Sequence, residues 1–185
     1  MISLIVACDE NRGIGLNGRI PWFIPGELKW VSDVTRHTVN PKNTNALIMG
    51  RHTWESLPEA RRPLPGRISI VVSSQAKSVD KLTLLNTTSD RVWVADSLEH
   101  AINMIKRVNY IEKGFIFGGQ RLYEDAMASS WLDEILLTTV PGIYDCDTFF
   151  PALTSCYKLN DRHDVTYGET VVKREKYVRA SQSST

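Results

Sequence analysis

Scarcity is the first thing this sequence offers. It contains only three cysteines, Cys8, Cys146 and Cys156, in no CxxC or Cys/His ligand spacing. Such an odd, scattered set argues against a disulfide framework or a zinc site, and no metal is expected. Cys8 ends an apolar run and reads as a reduced, buried thiol. Net charge is nearly absent, with 22 Lys and Arg against 21 Asp and Glu. A balanced chain has no overall electrostatic attraction for nucleic acid or an anionic membrane. No apolar run approaches the roughly 20 residues of a membrane span. Met1–Ala7 is apolar but short, carries no basic leader and runs straight into Asp9-Glu10, so the expected compartment is the cytosol. The Asn86-Thr87-Thr88 sequon is accordingly read as chance. Repeats and an interdomain linker are missing as well.

What is there is the profile of an ordinary globular protein: 185 residues, 42% hydrophobic and 23% charged. One domain spanning 1–185 is expected, with the polar, serine-rich segment 179–185 as a frayed tail. Short Ile- and Val-rich runs predict strands at Ile2–Cys8, Ala46–Met49, Ile68–Val72, Val92–Ala95, Phe115–Phe117 and Ile135–Val140. Most of these runs lack alternation, as expected for a sheet covered on both faces. Helices are predicted between them at Glu27–Val39, Thr53–Leu57, Leu98–Val108 and Arg121–Ala128, with Pro25 in the first turn of the first and Ser97 capping the third. Alternating strands and helices imply an α/β fold with a mostly parallel central sheet. At the end, Asp164–Tyr167 and Thr170–Val178 flank Gly168-Glu169 and predict an antiparallel hairpin. Asn40–Asn45 and Gln75–Arg91 read as excursions.

Four segments could carry chemistry. Glu27 follows Ile20-Pro21-Trp22-Phe23-Ile24-Pro25 and shares a helical stripe with Val31 and Val34. An acid in a first helical turn is commonplace. Here the neighbours Trp22, Phe23, Leu28 and Trp30 are apolar, and burial of a carboxylate is how a site holds a proton donor near neutral pH. A carboxylate also matches the fork of two N–H groups on a pterin or guanidine-like ring. Phe117-Gly118-Gly119-Gln120-Arg121-Leu122-Tyr123 reads as strand, paired glycines, helix, which admits a ligand close to the backbone. Ile48-Met49-Gly50-Arg51-His52-Thr53 repeats that plan, with an arginine fork suited to a phosphate monoester and Ser73-Ser74 as further donors. Each turn alone could be an ordinary loop. Two in one small parallel sheet favour a ligand, because ligands gather at the carboxyl ends of strands. Arg61-Arg62-Pro63-Leu64-Pro65-Gly66-Arg67 is a stiff loop presenting guanidinium groups, equally readable as a solvated basic loop.

Taken together, Ile14-Gly15, Pro21-Trp22, Glu27, Ile48–Leu57, Arg62–Arg67, Gly118-Gly119 and Asp147-Thr148-Phe149-Phe150-Pro151 resemble the dihydrofolate reductase family from end to end. The Leu57-Pro58-Glu59 insertion resembles eukaryotic members. The resemblance implies about eight strands, helices on both faces, and NADPH-dependent reduction of 7,8-dihydrofolate to tetrahydrofolate, with hydride passing to pterin carbon 6 and a proton to N5. Glu27 would hold the pteridine, with Thr138 and Trp22 completing the catalytic group. Ile5, Ala7, Leu28, Val31, Ser32, Leu64, Phe117 and Tyr123 would line the substrate pocket. Arg67 would pair with the α-carboxylate of the glutamyl tail, with Arg61 near it. NADPH would be held by Ala7, Gly50, Arg51, His52, Thr53, Ser73, Ser74, Gln75 and the run Gly118, Gly119, Gln120, Arg121, Leu122 and Tyr123. Gly13, Ile14, Gly15, Leu16, Asn17, Gly18 and Arg19 would form a loop closing over the nicotinamide. The family also places a cis peptide between the glycines at 118 and 119. Antifolates are implied as ligands, and a monomer as the working form.

Two positions depart from the family pattern. Val31 stands where most members carry Phe, and Phe117 where a smaller aliphatic is usual. Two rival readings remain at this point: a riboflavin-pathway pyrimidine reductase of the same fold, and a non-catalytic folate- or RNA-binding relative. The first would not call for Glu27 after Pro21-Trp22 or for arginine at 67. The near-neutral charge argues against the RNA-binding form of the second.

Overall fold

In the computed structural model, which describes residues 1–78 and 80–180, the apolar runs become the centre of one eight-stranded sheet. In chain order the strands are β1 (Ile2–Cys8), β2 (Gly13–Gly15), β3 (Thr44–Gly50), β4 (Arg67–Val72), β5 (Val92–Ala95), β6 (Ile111–Gly118), β7 (Glu134–Thr139), β8 (Thr148–Phe149), β9 (Tyr157–Tyr167) and β10 (Thr170–Arg179). The helices are α1 (Glu27–Arg36), α2 (Arg51–Ser56), α3 (Lys81–Leu85), α4 (Leu98–Lys106) and α5 (Gln120–Ala128). The main sheet runs β5-β4-β3-β6-β1-β7-β10-β9, and β2 pairs separately with β8. All neighbours from β5 to β7 are parallel, while β10 is antiparallel to both β7 and β9.

Continuous apolar strands arise because both faces are covered. On one face Leu4, Val6, Ile48, Ile70, Ile116 and Ile135 pack with Leu98, Ile102 and Ile105 of α4 and Leu122 and Ala126 of α5. On the other, Ile5, Leu47, Met49, Val71 and Phe115 pack with Trp54 of α2 and with Trp30, Val31 and Val34 of α1. Each strand therefore sends alternate residues into two different cores, and both sets are mostly apolar. Ser97 caps α4, its hydroxyl accepting from the His100 N–H at 3.2 Å, as its sequence position predicts.

Several boundaries differ from the sequence reading, each for a local reason. Helix α1 stops at Arg36 rather than Val39 because the Asn45 side-chain amide donates to the carbonyls of Thr35 (3.0 Å) and His37 (2.8 Å), taking the groups that would continue the helix. Its start at Glu27 is the predicted one, but the N-cap is Gly26, with φ of 97°, so Pro25 precedes the cap and lies outside the first helical turn. Helix α2 begins at Arg51, two residues before the predicted start, directly from the strand-ending Gly50. The hairpin's first arm reaches back to Tyr157, well beyond Asp164. The excursion after β4 contains a short 3-10 turn, Ser74–Lys77, and α3. The tail expectation fails at Arg179, which donates to the carbonyls of Leu132 (2.9 Å) and Ser129 (2.6 Å) and to the Tyr157 hydroxyl (2.8 Å); residues 181–185 lie outside those described.

Candidate active site

The parallel strands β3, β4, β6, β1 and β7 all end along one edge of the sheet. At β3 and β6 the chain leaves in opposite directions, into α2 on one face and α5 on the other. Such a divergence opens a crevice between the two turns. Met49 and Gly118 are register partners, so the two glycine turns adjoin. A Cβ on Gly50 would lie 3.8 Å from the Gly118 carbonyl oxygen and the Gly119 nitrogen. The Gly118-Gly119 peptide is cis, and Gly118 has φ of 122°, a conformation that favours glycine. A Cβ at Gly119 would stand 3.3 Å from the Thr53 hydroxyl, and one at Gly118 would stand 3.3 Å from the Tyr123 hydroxyl. The glycines thus keep open the space where α2 and α5 begin.

Other cofactor-assigned residues fall near these turns. Arg51 donates to Glu55 at 2.7 Å and also to the side-chain oxygen of Gln75, which ties α2 to the turn carrying Ser73 and Ser74. The Ser73 hydroxyl accepts from the Gln75 N–H at 3.3 Å. His52 and Arg121 are exposed. Gln120 bridges to the second small sheet, its side-chain oxygen accepting from the Phe149 N–H at 2.8 Å. Leu122 turns its side chain into the core, which leaves only its backbone for a ligand. Tyr123 is buried and donates to the Ile5 carbonyl at 3.0 Å; that bond binds α5 to β1.

The segment 13–19 is a small hairpin. Leu16 and Arg19 exchange backbone hydrogen bonds of 2.9 and 3.0 Å around Asn17 and Gly18, which have φ of 50° and 73°, the two-residue turn that suits Asn-Gly. β2 pairs with β8, and the Asn17 N–H donates to Asp147 at 2.8 Å. The Asp147–Pro151 motif thereby anchors this loop.

The substrate-assigned residues occupy the face beneath α1. Ile5, Val31, Leu64 and Phe117 belong to one apolar group. Ser32 is half-buried on α1, whereas Leu28 and Arg61 are exposed. Ala7, Thr138 and Arg174 are register partners in turn across β1, β7 and β10, so their side chains share this face. Glu27 is 5% exposed and Thr138 fully buried. Glu27 Oε1 and the Thr138 hydroxyl have no hydrogen-bond partner among the described residues. Buried polar atoms are nearly always paired, so two orphans in one pocket mark a place where a polar ligand completes the bonding.

The carboxylate's other oxygen is engaged. Arg174 Nη2 donates to Glu27 Oε2 at 2.7 Å and also to the Tyr167 hydroxyl. Its guanidinium carbon lies 3.7 Å from the centroid of the Trp30 ring. This corrects the expectation of an acid surrounded only by apolar groups. Phe23 and Leu28 are 84% and 62% exposed and do not enclose the carboxylate. The sequence reading missed Arg174, Tyr167 and Trp30 as a unit. The one available signal was the alternation of Val172 and Arg174 along β10.

Arg67 sits at the far end of α1, 3% exposed. It donates to the Thr35 hydroxyl at 2.8 Å and the Pro65 carbonyl at 3.2 Å. No carboxylate pairs with it among the described residues, and burial, with the nearby Arg36 charge, pulls its pKa down to about 10. A buried guanidinium without a counter-ion lacks the partner that a ligand carboxylate would supply.

A family model for dihydrofolate reductase matches residues 1–179. The chain belongs to the dihydrofolate reductase family. A dihydrofolate reductase of Drosophila melanogaster is 39% identical over 156 residues, covering 84% of this chain and 82% of its own. That of Aedes albopictus is 36% identical over 165 residues, 88% of this chain and 85% of its own. A bifunctional dihydrofolate reductase-thymidylate synthase of Daucus carota is 37% identical over 154 residues, which are 82% of this chain and 28% of that protein. The chain spans most of the insect relatives and somewhat over a quarter of the plant one. The orphaned oxygen of Glu27 and the guanidinium of Arg67, which has no carboxylate partner among the described residues, stand toward opposite ends of α1, with Arg67 bonded to Thr35 in its last turn.

Proposed function

We infer that this chain reduces 7,8-dihydrofolate to 5,6,7,8-tetrahydrofolate with NADPH as reductant. The observation that carries the reading is Glu27, a buried carboxylate with one oxygen unpartnered beside the equally unpartnered Thr138 hydroxyl. A pterin presents a ring N–H and an exocyclic amine to such a carboxylate, and two parallel charge-assisted bonds fix both position and orientation. Ile5, Val31, Leu64 and Phe117 offer an apolar wall to the rings. Arg67, lacking a counter-ion, takes the α-carboxylate of the glutamyl tail.

The residues present also fit the nicotinamide cofactor. The glycines at 50, 118 and 119 leave a space that a Cβ would fill, and Thr53 borders it. Arg51, Ser73, Ser74 and Gln75 gather at the next turn as hydrogen-bond donors for a phosphate monoester. NADPH supplies a hydride for pterin carbon 6 when bound. The protein's part is to align the pterin, exclude water through the Gly13–Arg19 loop, and hold the ring so that water protonates N5. Glu27 grips the edge of the ring that carries the amine, so it tunes the ring and does not itself reach N5. Cytosolic action as a monomer, and binding of antifolates in the same cleft, belong to this reading.

The test is the loss of NADPH absorbance on adding dihydrofolate, with tetrahydrofolate identified as product. Rapid oxidation supports the reading. No oxidation despite tight NADPH binding would contradict it and direct attention to a pyrimidine substrate of the riboflavin type.

A further inference from the structure

The floor of the cleft carries a positive charge as well as a negative one. Arg174 is 7% exposed and clamped from three sides: by Glu27 Oε2, by the Tyr167 hydroxyl and by the face of Trp30. Its Nε is buried without a hydrogen-bond partner among the described residues. Register places it next to Thr138, so the guanidinium underlies the same pocket that Glu27 enters. The next charged residue inward on β10, Glu175, points the other way and is taken by Arg162 at 2.5 Å. At the pocket floor the Glu27 and Arg174 charges therefore sum to zero.

We propose that Arg174 is a positioning and specificity-determining residue of the pteridine site: it fixes the Glu27 carboxylate by one oxygen and cancels its charge, so that the site favours a neutral dihydropterin over a cationic diamino heterocycle. The physical reason is Coulombic. A neutral pterin gains two hydrogen bonds from Glu27 whether or not a cation stands behind the carboxylate. A 2,4-diaminopyrimidine pairs with a carboxylate as its ring-protonated cation, and that positive charge is repelled by Arg174 across a few ångströms of low-dielectric interior. A unit charge at such a range in a partly buried site changes binding by about tenfold or more. Fixing the carboxylate is a separate service. With Oε2 held, Glu27 has one orientation, and its free oxygen keeps its place beside Thr138.

The proposal rests on Glu27 being the pteridine anchor, and the experiment separates the two claims. Dissociation constants for dihydrofolate and for a plain 2,4-diaminopyrimidine inhibitor are measured on the wild type and on Arg174→Met, Arg174→Gln and Arg174→Lys, each first examined for a cooperative thermal melt. The expected result is that the ratio of the two affinities moves about tenfold toward the diaminopyrimidine in the neutral Met and Gln variants. In the Lys variant it stays within about threefold of wild type. Met and Gln differ in packing and hydrogen bonding, so either one that folds suffices. Equal losses for both ligands in every variant would mark Arg174 as merely structural and overturn the proposal. A Lys variant that shifts as far as Met would also overturn it. Failure of the wild type to oxidise NADPH with dihydrofolate would remove the anchor reading, and this proposal with it. Activity with an unmoved ratio would remove this proposal alone.

Discussion

The ring of Tyr167 lies where a side chain on Gly26 would go: a Cβ there would come within 2.6 Å of Tyr167 Cε1. Gly26 also has φ of 97°, so its lack of a side chain is required twice over. The residue after it is Glu27, and the hydroxyl of the same Tyr167 accepts from Arg174. The start of α1, the acid and its guanidinium partner are thus locked by one close packing. Gly26→Ala is expected to cost about 1–3 kcal/mol of stability and to weaken dihydrofolate binding, because α1 must shift. A thermal melt with a dihydrofolate titration checks both. An unchanged melting temperature would show that the turn relaxes freely.

Thr138 separates stability from activity. Its hydroxyl is buried and has no partner among the described residues, and such a group costs about 1–3 kcal/mol when left unpaired. Thr138→Val keeps the shape and removes the hydroxyl. Stability is expected to hold or rise, while KM for dihydrofolate increases. Urea unfolding and steady-state kinetics on the same preparation decide the matter, and a destabilised variant with normal KM would contradict it.

Arg67 offers a comparison between substrates. Arg67→Met removes a buried charge that has no protein counter-ion, so the free protein should be no less stable. Truncating one member of a buried charge pair with a ligand costs about 2–5 kcal/mol. The loss of kcat/KM for dihydrofolate should therefore be about 30-fold or greater. A reduced pterin lacking the glutamyl tail should show no such loss. Equal losses on both substrates would mean that Arg67 serves only to hold Thr35.

Cys8 gives a pH prediction. Burial, reinforced by the Asp9 carboxylate, pushes its thiol from an ordinary value of 9.0 up to about 12. The native state therefore keeps the proton through a window in which the unfolded chain releases it. Unfolding releases protons there, so stability falls as pH rises from about 9 toward 12, by at most about 1.4 kcal/mol per pH unit. Cys8→Ala should flatten that decline in urea titrations at pH 8 and 10. The native protein at pH 8 should label rapidly at exposed Cys156 and not at Cys8.

Much of the fold was legible because its signal is local. Runs such as Ile2–Cys8 and Ala46–Met49 are almost wholly apolar, and strands buried on both faces need that. The hairpin was half legible, since β9 lies at the sheet edge and Lys158–Asp164 is polar on both faces. In the candidate site, Glu27, Arg67 and the two glycine turns could be named from motif and order, and Thr138 only from the family resemblance. Arg174 could not. Lys173-Arg174-Glu175-Lys176 reads as a solvated charge run, and nothing local says that one of its members faces an acid 147 positions away. Sheet register sets Arg174 beside Thr138, and the packing of α1 against the sheet brings Glu27 to it.

The central claim is that Glu27 anchors the pteridine during reduction. The most direct measurement compares wild type with Glu27→Ala, following NADPH oxidation by dihydrofolate and determining the NADPH dissociation constant separately. The account predicts a fall in kcat/KM of about 30-fold or more, the loss expected when one partner of a buried charge-assisted contact with the ligand is removed, with NADPH binding unchanged, because the cofactor turns lie on other elements. Undiminished oxidation in Glu27→Ala at neutral pH would contradict it.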